Sequence, residues 1–161
     1  MNLAGFYEES ISNGEGLRAV VFVSGCPHHC RGCHNEIAQD YDFGEYFDQK
    51  KQEEILTKII ENESLRGVTI SGGEPLCPPN IKGVLSFLKE LKKRKSSLDI
   101  WCYTGYTIEQ LMEREDIYTK EILNIIDVLV DGKYVESLRN LSLKFRGSEN
   151  QRIINLHAKI A

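Results

Sequence analysis

The sequence has no long apolar run, no excess of positive charge and no second close pair of cysteines, and each absence narrows what the chain can be. No stretch approaches the roughly 18 residues of a membrane span, and Met1-Asn2-Leu3-Ala4-Gly5 lacks the basic and apolar regions of a signal peptide. The expectation is a cytoplasmic protein with no membrane partner. A formal net charge of −4 offers no bulk attraction to a polyanion, so no nucleic-acid partner is expected. Internal repeats, low-complexity tracts and linkers are missing as well. The 161 residues therefore read as one domain, 1–161. That is long enough for a hydrophobic core and short of the roughly 250 residues of a complete (β/α)8 barrel.

The cysteine that is present is concentrated. Three of the five, Cys26, Cys30 and Cys33, fall in the loop Ser24 to Asn35, directly after the apolar run Ala19-Val20-Val21-Phe22-Val23. An odd number clustered in a loop favours reduced thiols and metal binding over a disulfide framework. Thiolates are soft ligands and select zinc, copper(I) or iron–sulfur. A structural zinc site closes with four protein ligands, and His28, His29 or His34 can supply the fourth. A [4Fe–4S] cluster usually takes four cysteines, so three leave one iron open, as a catalytic site requires. The spacing alone leaves both readings standing.

Around this loop, short β-rich runs alternate with helical ones, the pattern of βα units and a parallel sheet. Strands are expected at Gly5 to Ile11, Ala19 to Val23, Gly67 to Ile70, Leu98 to Tyr103, Asp127 to Val130 and Ile153 to Leu156, with a loop over Tyr41 to Phe47. Apolar stripes at helical spacing mark helices from Gln49, from Pro78, after Thr107 and around Ile122. Position is more informative than count. The cysteine loop, Gly72-Gly73-Glu74, Thr104-Gly105 and Asp131-Gly132-Lys133 each follow the carboxyl end of an expected strand, where parallel α/β folds form ligand sites.

Cys26-x3-Cys30-x2-Cys33 followed by Gly72-Gly73-Glu74-Pro75 resembles the radical S-adenosylmethionine (SAM) superfamily. Within it, Asn13-Gly14-Glu15-Gly16-Leu17-Arg18 and Gly32-Cys33-His34-Asn35 are similar to the glycyl-radical activating enzymes. Tyr103-Thr104-Gly105-Tyr106, Val128 to Tyr134 and Arg146-Gly147-Ser148-Glu149-Asn150-Gln151 extend the likeness nearly end to end, toward members whose partner is an anaerobic ribonucleoside-triphosphate reductase. The resemblance implies an α/β fold, a compact incomplete β/α barrel of radical SAM type with a mostly parallel sheet. It implies that Cys26, Cys30 and Cys33 hold three irons of a [4Fe–4S] cluster while the fourth chelates SAM. An electron would then release a 5′-deoxyadenosyl radical, which takes a hydrogen atom from a glycine of the reductase. Reduced flavodoxin or ferredoxin is the implied electron donor.

By the same resemblance, no catalytic side chain is needed beyond the cluster and SAM. Gly72 and Gly73 would let the backbone pass close to SAM. Glu74 would accept from its ammonium, although the family's acceptors there are largely backbone carbonyls. Thr104 and Asp131 would sit around the SAM methionine or a monovalent cation. His34 and Asn35 would shape the cluster's surroundings or the SAM pocket, and His28 and His29 would lie beside the cluster or in solvent. One departure stands out: many superfamily members carry an aromatic residue before the third cysteine, where this chain has Gly32, so the adenine contact must come from elsewhere. Cys77 and Cys102 lack ligand spacing and read as buried free thiols. The basic run Lys89 to Lys95 is either a solvated helix end or a dock for an acidic electron donor. Two alternatives remain: a radical SAM enzyme acting on another glycyl-radical enzyme or a small molecule, and a zinc-binding interaction module.

Overall fold

A computed structural model of the chain describes residues 1–157. Its strands are β1 (Asn2–Ser10), β2 (Arg18–Val23), β3 (Glu45–Tyr46), β4 (Gly67–Gly72), β5 (Asp99–Tyr103), β6 (Val128–Asp131) and β7 (Arg152–Asn155). Its α-helices are α1 (Gln49–Glu61), α2 (Pro78–Arg94), α3 (Ile108–Met112) and α4 (Ile117–Ile125). All seven strands join one sheet in the order β3-β1-β2-β4-β5-β6-β7. The four central strands, β2, β4, β5 and β6, run parallel, and β1, β3 and β7 are antiparallel to their neighbours. The sheet is open, with β3 and β7 at opposite edges.

The helices start where local chemistry allows. Asp48 caps α1 by accepting from the Lys51 N–H at 2.8 Å, which satisfies an otherwise orphaned donor. Pro78 and Pro79 begin α2, where the missing N–H costs nothing. Thr107 and Gln110 form the expected capping box of α3. Each helix buries one face. Ile55, Leu56 and Ile59 of α1, Ile81, Val84, Leu85, Leu88 and Leu91 of α2, and Ile122 of α4 pack with Val21, Val23, Val68, Ile70, Ile100 and Leu129 of the parallel strands. Burying each such side chain contributes about 1.5–3 kcal/mol.

The alternate strand residues point to the other face, where loops rather than helices cover them. Thr69 Oγ1 donates to the Asn13 carbonyl at 2.7 Å. Trp101 meets Phe145 edge-on, and Tyr103 Oη donates to the Phe145 carbonyl at 2.6 Å.

Two expectations need correction. The segment Tyr41 to Phe47 is not all loop, because Glu45–Tyr46 pairs with Asn2 and Leu3 at the sheet edge. Two exposed residues carry no alternation by which to recognise a strand. The first strand also begins earlier than expected, at Asn2, because its partners Val20 to Val23 extend that far.

Candidate iron–sulfur and SAM site

The parallel register brings the four strand-end motifs to one rim. Val23 pairs with Gly72, Ile70 with Cys102, and Tyr103 with Val130. The loops after β2, β4, β5 and β6 therefore leave the sheet at the same end.

Two of these loops are sewn together by backbone. Gly73 N donates to the Val23 carbonyl and Glu74 N to the Gly25 carbonyl, both at 2.7 Å. A side chain at Gly73 would collide with the carbonyls of Gly25 and Ala38, so glycine is required by close backbone approach rather than by turn conformation. Asn80, 1% exposed at the start of α2, completes the seam. Its amide donates to the carbonyls of Ser24 (2.9 Å) and Glu74 (3.0 Å).

Cys26, Cys30 and Cys33 are free, half-buried thiols in the loop that leaves this seam. Burial pushes the Cys26 thiol up to about 11, against the backbone N–H groups of His28 and His29, which favour the thiolate. A thiol held neutral by burial becomes a strong ligand when a metal cation takes the proton's place. The donor set is thiolate-rich, and His28, the most buried imidazole of the loop, is turned away to Glu74. Three soft thiolates in one loop fit an iron–sulfur group.

Glu74 is the hub of the rim. It is 1% exposed, and both carboxylate oxygens are engaged. Oε1 accepts from Thr104 Oγ1 (2.7 Å) and Leu76 N (2.9 Å). Oε2 accepts from Gly105 N (2.7 Å) and lies 2.8 Å from His28 Nε2. Thr104 is thereby tied to Glu74, with its own N–H on the Val130 carbonyl. Asp131, also 1% exposed, accepts from Ile108 N at 2.8 Å and from Arg152 at 2.6 and 3.0 Å. His34 is exposed, and Asn35 is half-buried before the short 3-10 turn Glu36–Gln39.

Sequence reasoning missed the parts played by Asn80, Arg114, Arg152 and Tyr106. None has a local signature, since each partner lies in a different loop. The basic run lies away from the cysteines. Lys92 to Lys95 lie at the end of α2, just before β5 begins, at the opposite end of the sheet from the cysteines. Several of the run's charges are engaged: Lys89 with Glu121, Lys92 with the Leu98 carbonyl, and Arg94 with Glu53 and Glu90.

A family profile described as a 4Fe-4S single cluster domain matches residues 12–154. The chain is 42% identical over 154 residues to the anaerobic ribonucleoside-triphosphate reductase-activating protein of Pasteurella multocida, covering 95% of this chain and 96% of that one. It is 38% identical to the protein of the same name from Haemophilus influenzae, covering 95% and 97%. Against that of Escherichia coli K12 it is 35% identical, covering 97% and 99%. Matched over nearly its whole length by both comparisons, the chain belongs to the 4Fe-4S single cluster domain family, among the anaerobic ribonucleoside-triphosphate reductase-activating proteins.

Proposed function

We propose that this chain installs a glycyl radical on an anaerobic ribonucleoside-triphosphate reductase, using a [4Fe–4S] cluster held by Cys26, Cys30 and Cys33 together with SAM. When bound, the cluster and SAM supply a one-electron cleavage that yields a 5′-deoxyadenosyl radical, the species that removes hydrogen from the target glycine. The chain's own residues bind, orient and enclose.

The observation that carries the reading is the backbone seam between the cysteine loop and Gly72-Gly73-Glu74. It supports the reading because a group on the thiol loop and a ligand on the glycine turn would then lie side by side. In this reading Gly72 and Gly73 offer backbone to SAM, while the Glu74 side chain, with four donors already around it, fixes the turn instead of gripping the ammonium. Thr104 and Asp131 support the SAM pocket from the neighbouring strand ends, and His34 and Asn35 border the cluster.

Residues 1–161 act as one domain in this reading, and the open sheet with helices on one face is an incomplete β/α barrel of radical SAM type whose active site the reductase's surface completes. Free cysteines suit the reducing cytoplasm. Reduced flavodoxin or ferredoxin would deliver its electron at the cysteine rim rather than at Lys92 to Lys95. The test is anaerobic reconstitution with iron and sulfide. Brown protein with about four irons per chain, lost in Cys30→Ser, supports the reading. Colourless protein that retains zinc overturns it.

A further inference from the structure

We propose that His28 is a positioning residue: it holds the cysteine loop against the Gly72-Gly73-Glu74 turn by donating to Glu74. The proposal rests on the functional reading above and adds to it a residue that acts through another.

His28 lies between the first two cysteines, yet its side chain is only 6% exposed. Its ring fills a slot with three walls. Nε2 meets Glu74 Oε2 at 2.8 Å. The ring stands edge-on to Tyr106, with centroids 4.5 Å apart and planes at 73°. The third wall is Gly105, where any Cβ would collide with the imidazole, so glycine there makes room for this histidine. The slot is braced from behind. The Arg114 guanidinium lies 4.3 Å from the centre of the Tyr106 ring, and its Nη1 donates to the Leu76 carbonyl at 2.6 Å.

The other ties of the loop are unlike this one. Backbone bonds from Gly25 and Cys26 to Ala38 and Gln39 hold its beginning. Farther along, Arg31 meets Glu136 at 3.4 Å, but Arg31 is 95% exposed, and such pairs contribute little. His29 meets Gln39 at 3.1 Å, but in an exposed position, so His28 is the buried side-chain anchor within the Cys26 to Cys33 span. The anchor has to be a donor, because a buried carboxylate lone pair left unpaired is costly. An apolar ring of similar size would fill the slot and leave Oε2 short of a partner.

The test compares His28→Phe, which fills the slot without donating, with His28→Gln, whose side-chain amide can donate to Glu74. Iron content, the midpoint for SAM perturbation of the reduced-cluster paramagnetic signal, and urea unfolding of the metal-free chain are measured for each. The expectation is that both variants keep the wild-type iron content. His28→Phe should need about tenfold more SAM and His28→Gln should stay within about threefold of wild type. In the metal-free chain, His28→Phe and Glu74→Gln should be non-additive in unfolding free energy. Equal SAM midpoints in all three proteins, loss of iron from both variants, or additive stability effects would each overturn the proposal. A wild-type signal blind to SAM would instead overturn the functional reading, and the metal-free cycle would still decide whether the His28–Glu74 clasp exists.

Discussion

A fully buried charge lies at each end of the parallel sheet, Arg18 at one and Glu74 at the other, and the two are used differently. At the amino ends of the strands Arg18 is fully buried. Its guanidinium donates to Thr69 Oγ1, the Glu15 carbonyl, and the carbonyls of Val68 and Asp99, and it pairs with the Asp99 carboxylate at 2.6 Å. These groups belong to β2, β4, β5 and the short lead-in to β2. Arg18 therefore locks strand to strand. At the carboxyl ends Glu74 is equally buried, but its donors come from the loops after β2, β4 and β5. The same physics, a buried charge saturated by fixed dipoles, stabilises the fold at one end and arranges the site at the other.

The sharpest way to break this comparison is Arg18→Met. Removing the charge leaves Asp99 only its more distant partner Arg66, at 3.3 Å, and strands several strand carbonyls, so urea unfolding should show a loss of about 3–5 kcal/mol, with iron content and SAM response per folded molecule unchanged. A stable variant with a lost SAM response would reverse the roles of the two ends. Glu74→Gln comes next. The amide has one acceptor oxygen where four donors converge, which should cost about 1–3 kcal/mol, and SAM perturbation of the cluster signal should disappear. Loss of stability with a normal SAM response would make Glu74 a second Arg18.

Smaller effects sharpen the contrast. Arg152 clamps Glu109 at 2.6 and 2.9 Å while also holding Asp131, and that bond holds the Glu109 carboxyl down from 4.5 to about 2. A depressed carboxyl adds stability above its unfolded value, and that stability is lost as pH falls from about 4.5 toward 2. Acid unfolding curves should therefore be shallower over that window in Glu109→Gln. The smallest effect is expected from Lys93→Glu, in the basic run at the far end of the sheet. The rate of cluster reduction by an acidic donor protein, and its salt dependence, should stay within about twofold of wild type. A large fall would move the donor's dock to that end.

Much of this architecture is legible in the chain because it is local. The run Ala19 to Val23, the helical spacing of Ile81, Val84, Leu85 and Leu88, and the Thr107–Gln110 capping box each appear within a dozen residues. The cysteine motif is equally local. The polar arrangement of the rim is not, because His28 and Glu74 are 46 residues apart and Asn80 and Ser24 are 56 apart. Only the parallel register brings them together. Glu74 illustrates the limit: its motif marks it as important, but whether it faces a ligand or its own loops depends on Thr104 and Gly105, about thirty residues away. Asp131 is similar, since its partner Arg152 arrives on the antiparallel edge strand.

The most direct test of the central claim is electron paramagnetic resonance on an anaerobic mixture of this chain, reductant, SAM and an anaerobic ribonucleoside-triphosphate reductase, beside the same mixture made with Cys30→Ser. The expected result is a glycyl-radical doublet that requires both SAM and Cys30. A doublet that persists with Cys30→Ser, or a SAM-perturbed cluster signal that never yields one, would contradict it.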